Sequence, residues 1–260
     1  MKVNEEEIVA KFLYYYLSSI QIENADKYER HFKYLKTTSI PIPPPSIQQR
    51  IISECEKIDK EYNAQKKDMD DRKKTIDSIF ESLDKKAKNT RKLSDKKIFD
   101  VSIGRRILNS EVNSNFEIPV YSANVFEPFG MIDKLLITDF SKDSIIWGID
   151  GDWMVNMILA NNPFYPTDHC GVLRLKTDEI LPKYMVHLLE KAGREAGFKR
   201  SYRASIDRIE GLSINIAPIE EQRKVIDIIE QYEKQIAQAK AIMAECPAKK
   251  RAILKKYLER

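Results

Sequence analysis

SIPIPPPSIQQRIISECEKIDKEYNAQKKDM, residues 39–69, is written a second time as SINIAPIEEQRKVIDIIEQYEKQIAQAKAIM, residues 213–243. The copies lie 174 residues apart and align without a gap: Ile40 matches Ile214, Ile42 matches Ile216, Pro44 matches Pro218, Gln48 matches Gln222 and Met69 matches Met243. The stretch before each copy repeats as well, shifted by two residues, EIVAKFLYYYL of 7–17 answering EILPKYMVHLL of 179–189. Solenoid units run to about 20–50 residues, far shorter than this period. The repeat therefore marks duplication of a domain-sized unit: the end of a domain, a short strand-like segment and a long helix. The chain holds the tail of one unit and the whole of the next.

The helix of each copy carries a heptad. Ile51, Cys55, Ile58, Tyr62, Met69, Ile76, Ile79 and Leu83 follow one another in steps of four and three, with Gln65 and Arg72 as polar members. The second series, Val225, Ile229, Tyr232, Ile236, Ala239, Met243, Cys246, Ile253 and Tyr257, keeps the same register. Such spacing makes a coiled-coil seam. A helix over 46–88 would be about 65 Å long. Pro247 is expected to break or kink the second helix and to push Cys246 out of it. The seams suit either a hairpin within the chain or pairing between two chains.

Glycine sets the boundaries. All eight glycines fall between Gly104 and Gly211, and Trp147 and Trp153 share that window. Turns are thus confined to the middle, and the flanks read as long charged helices. In the middle, 116–123, 143–149 and 170–176 alternate or cluster apolar residues as strands do. EPFGMID, GIDGDW and NNPFYPTD separate them as turns, and 182–195 is an amphipathic helix with Pro182 near its start. The expected class is α+β, with one strand-rich mixed domain between two long helices. The expected divisions are a remnant domain end at 1–45, a spacer helix at 46–91, a complete domain at 92–212 and a second spacer helix at 213–260.

Composition narrows the function. Of 260 residues, 32% are charged and 42% apolar, enough for a real core, and the net charge of +4 does not by itself demand a nucleic-acid partner. Cys55, Cys170 and Cys246 lie far apart and form no CxxC, which fits a reducing compartment. No leader-like opening and no apolar run long enough to span a bilayer are present, so a cytoplasmic location and no membrane partner are expected. His31, His169 and His187 are isolated and suggest no metal site. No GxxxxGK[ST] is present. Asp168-His169-Cys170 reads as structural, and Gly148-Ile149-Asp150-Gly151 as a loop. Asn162-Pro163-Phe164-Tyr165 is faintly similar to the Asn-Pro-Pro-aromatic loop of adenine methyltransferases, but it lacks the second proline and no glycine-rich loop precedes it. A tight turn is the better reading.

The element Ile-x-Ile-x-Pro-x-x-x-Gln-x-x-Ile, carried by Ile40, Ile42, Pro44, Gln48 and Ile52 and again by Ile214, Ile216, Pro218, Gln222 and Ile226, follows a helix such as LPKYMVHLLEK and leads into a heptad helix. Together these resemble the specificity subunit of type I restriction–modification enzymes. The resemblance implies target recognition domains joined by spacer helices that act as a ruler. It also implies a chain that is not an enzyme and carries no cofactor. Its partners would be double-stranded DNA, a modification subunit that methylates adenine with S-adenosylmethionine and a restriction subunit that uses ATP. Only 92–212 matches a complete recognition domain. A homodimer through the heptad seams would supply the second one. The rival readings are the recognition part of a fused methyltransferase-nuclease and a coiled-coil scaffold that binds protein.

Residues 191–208, KAGREAGFKRSYRASIDR, set six basic residues against two acidic ones and read as a loop. Within it Lys199, Arg200, Tyr202 and Arg203 are candidate DNA contacts, since lysine and arginine neutralise phosphates and arginine also forks onto guanine. Arg105 and Arg106, after Gly104, are further candidates, better than the basic run at 85–97. Tyr121, Ser122 and Asn124 follow a strand and offer hydroxyl and amide groups; asparagine can bond the N6 and N7 edge of adenine.

Overall fold

A computed structural model describes residues 7–20, 39–87 and 89–259. His31, and most of the expected remnant between 1 and 45, lie outside them. Helix α1 (Ala10–Ser19) precedes the long α2 (Pro45–Lys86). Nine short strands follow: β1 (Asn89–Lys92), β2 (Phe99–Ile103), β3 (Ile118–Tyr121), β4 (Gly130–Ile132), β5 (Ser144–Gly148), β6 (Val155–Ile158), β7 (Tyr165–Pro166), β8 (Cys170–Leu175) and β9 (Ser213–Ile216). Between the last two strands lie α3 (Pro182–Ala196) and the short α4 (Ile206–Glu210), and α5 (Ile219–Leu258) ends the fold. The class is α+β. The chain divides into Ile76–Glu230 on one hand and Met1–Thr75 with Gln231–Arg260 on the other. Each long helix therefore gives turns to both units, and the units do not follow the helix ends used to divide the sequence.

The Ile76–Glu230 unit holds all the strands found among the described residues. β2-β8-β5-β6 is antiparallel throughout, and β4-β3-β7 adds β7 parallel to β3. β5 is buried along its whole length, as its run of apolar residues requires. Trp147 fills the space beside Gly171, where a Cβ would stand 2.1 Å from the indole. Its Nε1 donates to the Ala204 carbonyl at 3.0 Å. The segments expected to be plain turns hold strands: β4 lies within EPFGMID and β7 within NNPFYPTD. Both are too short to show a period, and β3 fixes them by pairing.

The repeat is reproduced at the buried glutamine of each copy. Gln222 is fully buried; its Oε1 accepts from Leu181 N at 2.9 Å, and its Nε2 donates to the carbonyls of Glu179 and Ala217 at 2.8 and 2.7 Å. In the other unit the buried Gln48 accepts from Val9 N at 2.8 Å and donates to Glu7 and Pro43 at 2.9 and 2.8 Å. The amide clamps the helix before it to the turn that starts the long helix. Lys183–Glu230 and Lys11–Glu56 are equivalent ion pairs. The buried Tyr184, Met185, Val225, Ile226, Ile229 and Phe80 answer the buried Phe12, Leu13, Ile51, Ile52, Cys55 and Leu254.

The seams pair inside the chain. In the unit containing the termini, Arg72 bonds Gln235 and lies over the Tyr232 ring at 6.0 Å. Lys250 bonds Asp59, and Lys256 reaches Glu54 at 3.1 Å. Numbers rise on one helix as they fall on the other, so the helices are antiparallel. Ile51, Cys55, Ile236 and Ala239 are buried without a second chain. This is the hairpin alternative, with Tyr62 of the first seam still exposed. Pro247 does not end α5, which continues to Leu258 with Cys246 still helical. The turns beyond the proline are held by the packing of Leu254 and by Lys250, while the proline itself is exposed.

Candidate nucleic-acid interface

One end of the sheets in the Ile76–Glu230 unit gathers loops that are far apart in sequence. β2 leaves its sheet at Gly104, whose N–H donates to the Cys170 carbonyl at 3.1 Å. No side chain fits there, because a Cβ would stand 2.0 Å from the Pro166 oxygen. The next N–H, of Arg105, donates to Pro166 at 3.1 Å, so Arg105 and Arg106 emerge, exposed, beside the turn between β7 and β8. That turn also holds the loop after β3. Thr167 is buried: its N–H donates to the Tyr121 carbonyl at 2.9 Å, and its hydroxyl donates to Ser122 Oγ at 3.1 Å and accepts from His169 N at 3.2 Å. Burial pushes the Tyr121 phenol above its ordinary pKa, so it stays a neutral donor. Asn124 Oδ1 accepts from the backbone of Phe126 and Glu127 at 3.0 and 3.3 Å. Asn124 Oδ1 thus holds its own turn, and the amide Nδ2 is the group left to donate to a base edge.

The basic stretch is only partly a loop. α3 runs on to Ala196, so Lys191 and Arg194 lie in a helix and pair with Asp84 at 2.6 Å and Asp77 at 2.8 Å. Gly193 is helical because Trp153 packs there, with a Cβ position 2.2 Å from the indole. Gly197, at φ 79°, closes the helix, and Phe198 N returns to the Gly193 carbonyl at 3.1 Å. Lys199 and Tyr202 then exchange backbone bonds at 3.1 and 2.8 Å, lifting Arg200 and Ser201 to the tip of a tight turn. Phe198 anchors the turn from below, buried against Trp153 and stacked on Tyr202 with centroids 5.7 Å apart. Arg208 covers the Tyr202 ring at 4.1 Å.

Asp150 ties this turn to the rest. It binds His169 and the Arg203 guanidinium, with Arg203 Nη2 at 2.9 Å. Ile149 N donates to His169 O at 3.0 Å, and Ala204 N donates to Ile149 O at 3.1 Å. Gly148 allows the loop after β3 to approach, with its Cβ position 2.2 Å from the Ala123 oxygen. The end of the sheets therefore unites Arg105, Arg106, Tyr121, Ser122 and Asn124 with Lys199, Arg200, Tyr202 and Arg203. Asp150, Thr167, His169 and Arg208 complete it and were not singled out as site residues. Of the basic run at 85–97, Lys96 pairs with Glu210. Cys170 is inert in this setting, since burial pushes its thiol up to about 12. Among the described residues no cluster of three or more histidine, cysteine or acidic side chains could hold a metal ion, and no helix is long and apolar enough to cross a membrane.

A sheet domain that presents polar and basic loops lies in sequence between two copies of one helix clamp, each leading into a long helix. The chain belongs to the type I restriction–modification DNA specificity domain family, whose model matches residues 73–246. It is 32% identical over 95 residues to the N-terminal part of a putative type I specificity subunit of Mycoplasma pneumoniae, covering 36% of this chain and 50% of that one. It is 28% identical over 142 residues to the specificity subunit of the type I restriction enzyme MpnII of the same organism, covering 54% and 42%. The chain thus spans about half the length of the curated relatives it matches. Its fold is that of the type I restriction–modification S subunit from M. genitalium, at TM-score 0.58 and 16% identity over 98% of this chain and 74% of the other. It is likewise similar to the HsdS subunit from Thermoanaerobacter tengcongensis, at TM-score 0.51 and 16% identity over 99% and 72%.

Proposed function

We propose that this chain is a sequence-specific DNA-recognition subunit of a type I restriction–modification system, reading one half of an interrupted site. The observation that carries the reading is the convergence of three separate loops, at 105–106, 121–124 and 199–203, on one end of the sheets. A basic tip that tracks phosphates stands there beside neutral hydroxyl and amide groups able to meet base edges. The chain itself is non-catalytic. A modification subunit brings S-adenosylmethionine and a restriction subunit brings ATP, all in the cytoplasm. The recognition part of a fused methyltransferase-nuclease would share this surface, whereas a protein-binding scaffold has no use for it. A second copy of the chain, joined as a homodimer, would supply the second recognition domain.

Adenine-methylation mapping in cells that express the chain with its modification subunit tests this. A new motif is expected, and Arg105→Ala or Arg200→Ala will either relax one position of it, for a base contact, or weaken every site alike, for a phosphate contact. No new methylation with a folded chain and an active modification subunit would sink the reading.

A further inference from the structure

Among the described residues, Arg203 is the only cation of the 199–203 turn that a carboxylate holds, and the hold has a direction. Its Nε bonds Asp150 Oδ1, and its Nη2 donates to Asp150 Oδ2 at 2.9 Å. These two nitrogens form one edge of the planar guanidinium, so the pair is bidentate. Asp150 Oδ2 also accepts from His169 Nδ1, which steadies the carboxylate from a second loop. The other edge of the fork, made by Nη1 and the remaining N–H of Nη2, bonds no acceptor among the described residues. The Arg203 side chain is 55% exposed, so a ligand can reach it.

The backbone beneath this pair is anchored in the core. Ile149, next to Asp150, accepts at its carbonyl from Ala204 N at 3.1 Å, and Ala204 follows Arg203. The Ala204 carbonyl accepts in turn from the buried Trp147 Nε1 at 3.0 Å. Ile149 N donates to the His169 carbonyl at 3.0 Å, which fixes the third member. The Arg203 carbonyl accepts from Arg208 Nη1 at 2.8 Å. A side chain held this way has little freedom left to lose on binding, and its geometry is set before the ligand arrives. Arg200, at the tip of the same turn, has no such brace among the described residues.

Charge decides which ligand suits the open edge. Asp150 already balances Arg203, and a phosphate brought to that edge would face a like charge close behind the guanidinium. A neutral group with two adjacent acceptors meets no such penalty. On the major-groove edges of the bases, guanine offers two acceptors side by side, N7 and O6. Adenine sets an acceptor beside a donor, thymine sets an acceptor beside a methyl group, and cytosine presents a donor. The open fork of Arg203 makes both of its bonds only to guanine.

We propose that Arg203, braced by Asp150, reads a guanine in the major groove: Arg203 determines the base, and Asp150 is the residue that positions it. The inference rests on the DNA-recognition reading and adds to it the base that one side chain selects. It also separates Arg203 from the exposed cations around it. Arg105, Arg106, Lys199 and Arg200 carry unbalanced charge suited to phosphates, whereas the Asp150–Arg203 pair carries none and offers hydrogen bonds of fixed geometry.

The test uses the full chain with its modification subunit and has two readouts. In adenine-methylation mapping, Arg203→Ala should relax one G·C position of the half-site, lowering the preference there by about 5- to 100-fold and leaving the other positions as they were. Asp150→Ala should relax the same position. Should the alanine chain at 203 unfold, Arg203→Gln, which loses the fork and keeps a polar side chain, should likewise no longer require guanine there. In fluorescence anisotropy with a labelled duplex the two alanine variants part. Arg203→Ala should leave the slope of log K against log salt unchanged, because its charge was already balanced. Asp150→Ala frees a cation for a phosphate and should steepen the slope by about 0.9. Relaxation at an A·T pair, equal weakening of every position, a motif that no variant alters, or a shallower slope for Arg203→Ala each overturns the proposal. So does loss of all methylation by a variant whose urea midpoint matches the parent's. A parent that yields no motif sinks the recognition reading and the proposal together, whereas each of the other adverse results leaves that reading standing.

Discussion

Gln48 and Gln222 are wholly buried amides, each with both ends met by the backbone. A buried amide is tolerated only when its groups are paired, and truncating one partner leaves the others orphaned. Gln222→Ala strands the Leu181 N–H and two carbonyls, and should cost about 2–3 kcal/mol in urea unfolding at neutral pH. Gln222→Glu should cost more than Gln222→Ala, because it turns a carboxylate oxygen toward the Glu179 and Ala217 carbonyls. If the Glu variant proved as stable as the parent, the assigned orientation of the amide would be wrong. The role of these residues was open to view as an identity at one register of a long repeat. Their bonding was not, because two of the three partners of each amide lie 39 to 43 residues away.

At the level of elements, Pro247 sits within α5 with its ring exposed. A proline inside a helix removes one i to i−4 bond and crowds the carbonyl four residues back, at about 3 kcal/mol relative to alanine. The helix persists because Leu254 and Lys250, beyond the proline, pack against the core of their own unit and Asp59. Pro247→Ala should therefore stabilise the protein by about 1–3 kcal/mol, seen as a higher urea midpoint with an unchanged slope. A lower midpoint would show that a bend at Pro247 is needed for that packing. The same competition explains what could be read in advance. The heptads, α3, β3, β5 and β8 were legible in the sequence, whereas β4 and β7, of three and two residues, are too short to show a period and exist through pairing with β3. For the interface, charge density exposed the 199–203 turn and the arginines after Gly104. Asp150, sitting in what looked like an ordinary glycine turn, was invisible because its partners His169 and Arg203 come from other loops.

For the molecule as a whole, net charge is a poor guide to DNA affinity. Part of the charge is balanced locally: Lys183, Lys191, Arg194, Lys250 and Lys256 are held by carboxylates of their own unit. At the end of the sheets Arg203 is likewise claimed by Asp150, while Arg105, Arg106, Lys199 and Arg200 are exposed. About four phosphates can then be neutralised. Each displaced counterion contributes about 0.9 to the slope of log K against log salt on duplex DNA, so a slope of about −3.6 is expected. Fluorescence anisotropy with a labelled duplex between about 50 and 200 mM salt measures it. Arg200→Ala, at the solvent tip of its turn, should make the slope shallower by about 1 and leave the fold intact. Lys250→Ala, equally a loss of one positive charge, should leave the slope unchanged, because Lys250 serves the helix hairpin. Equal effects of the two substitutions would mean that DNA responds to overall charge, and the end of the sheets would lose its claim to be the reading surface.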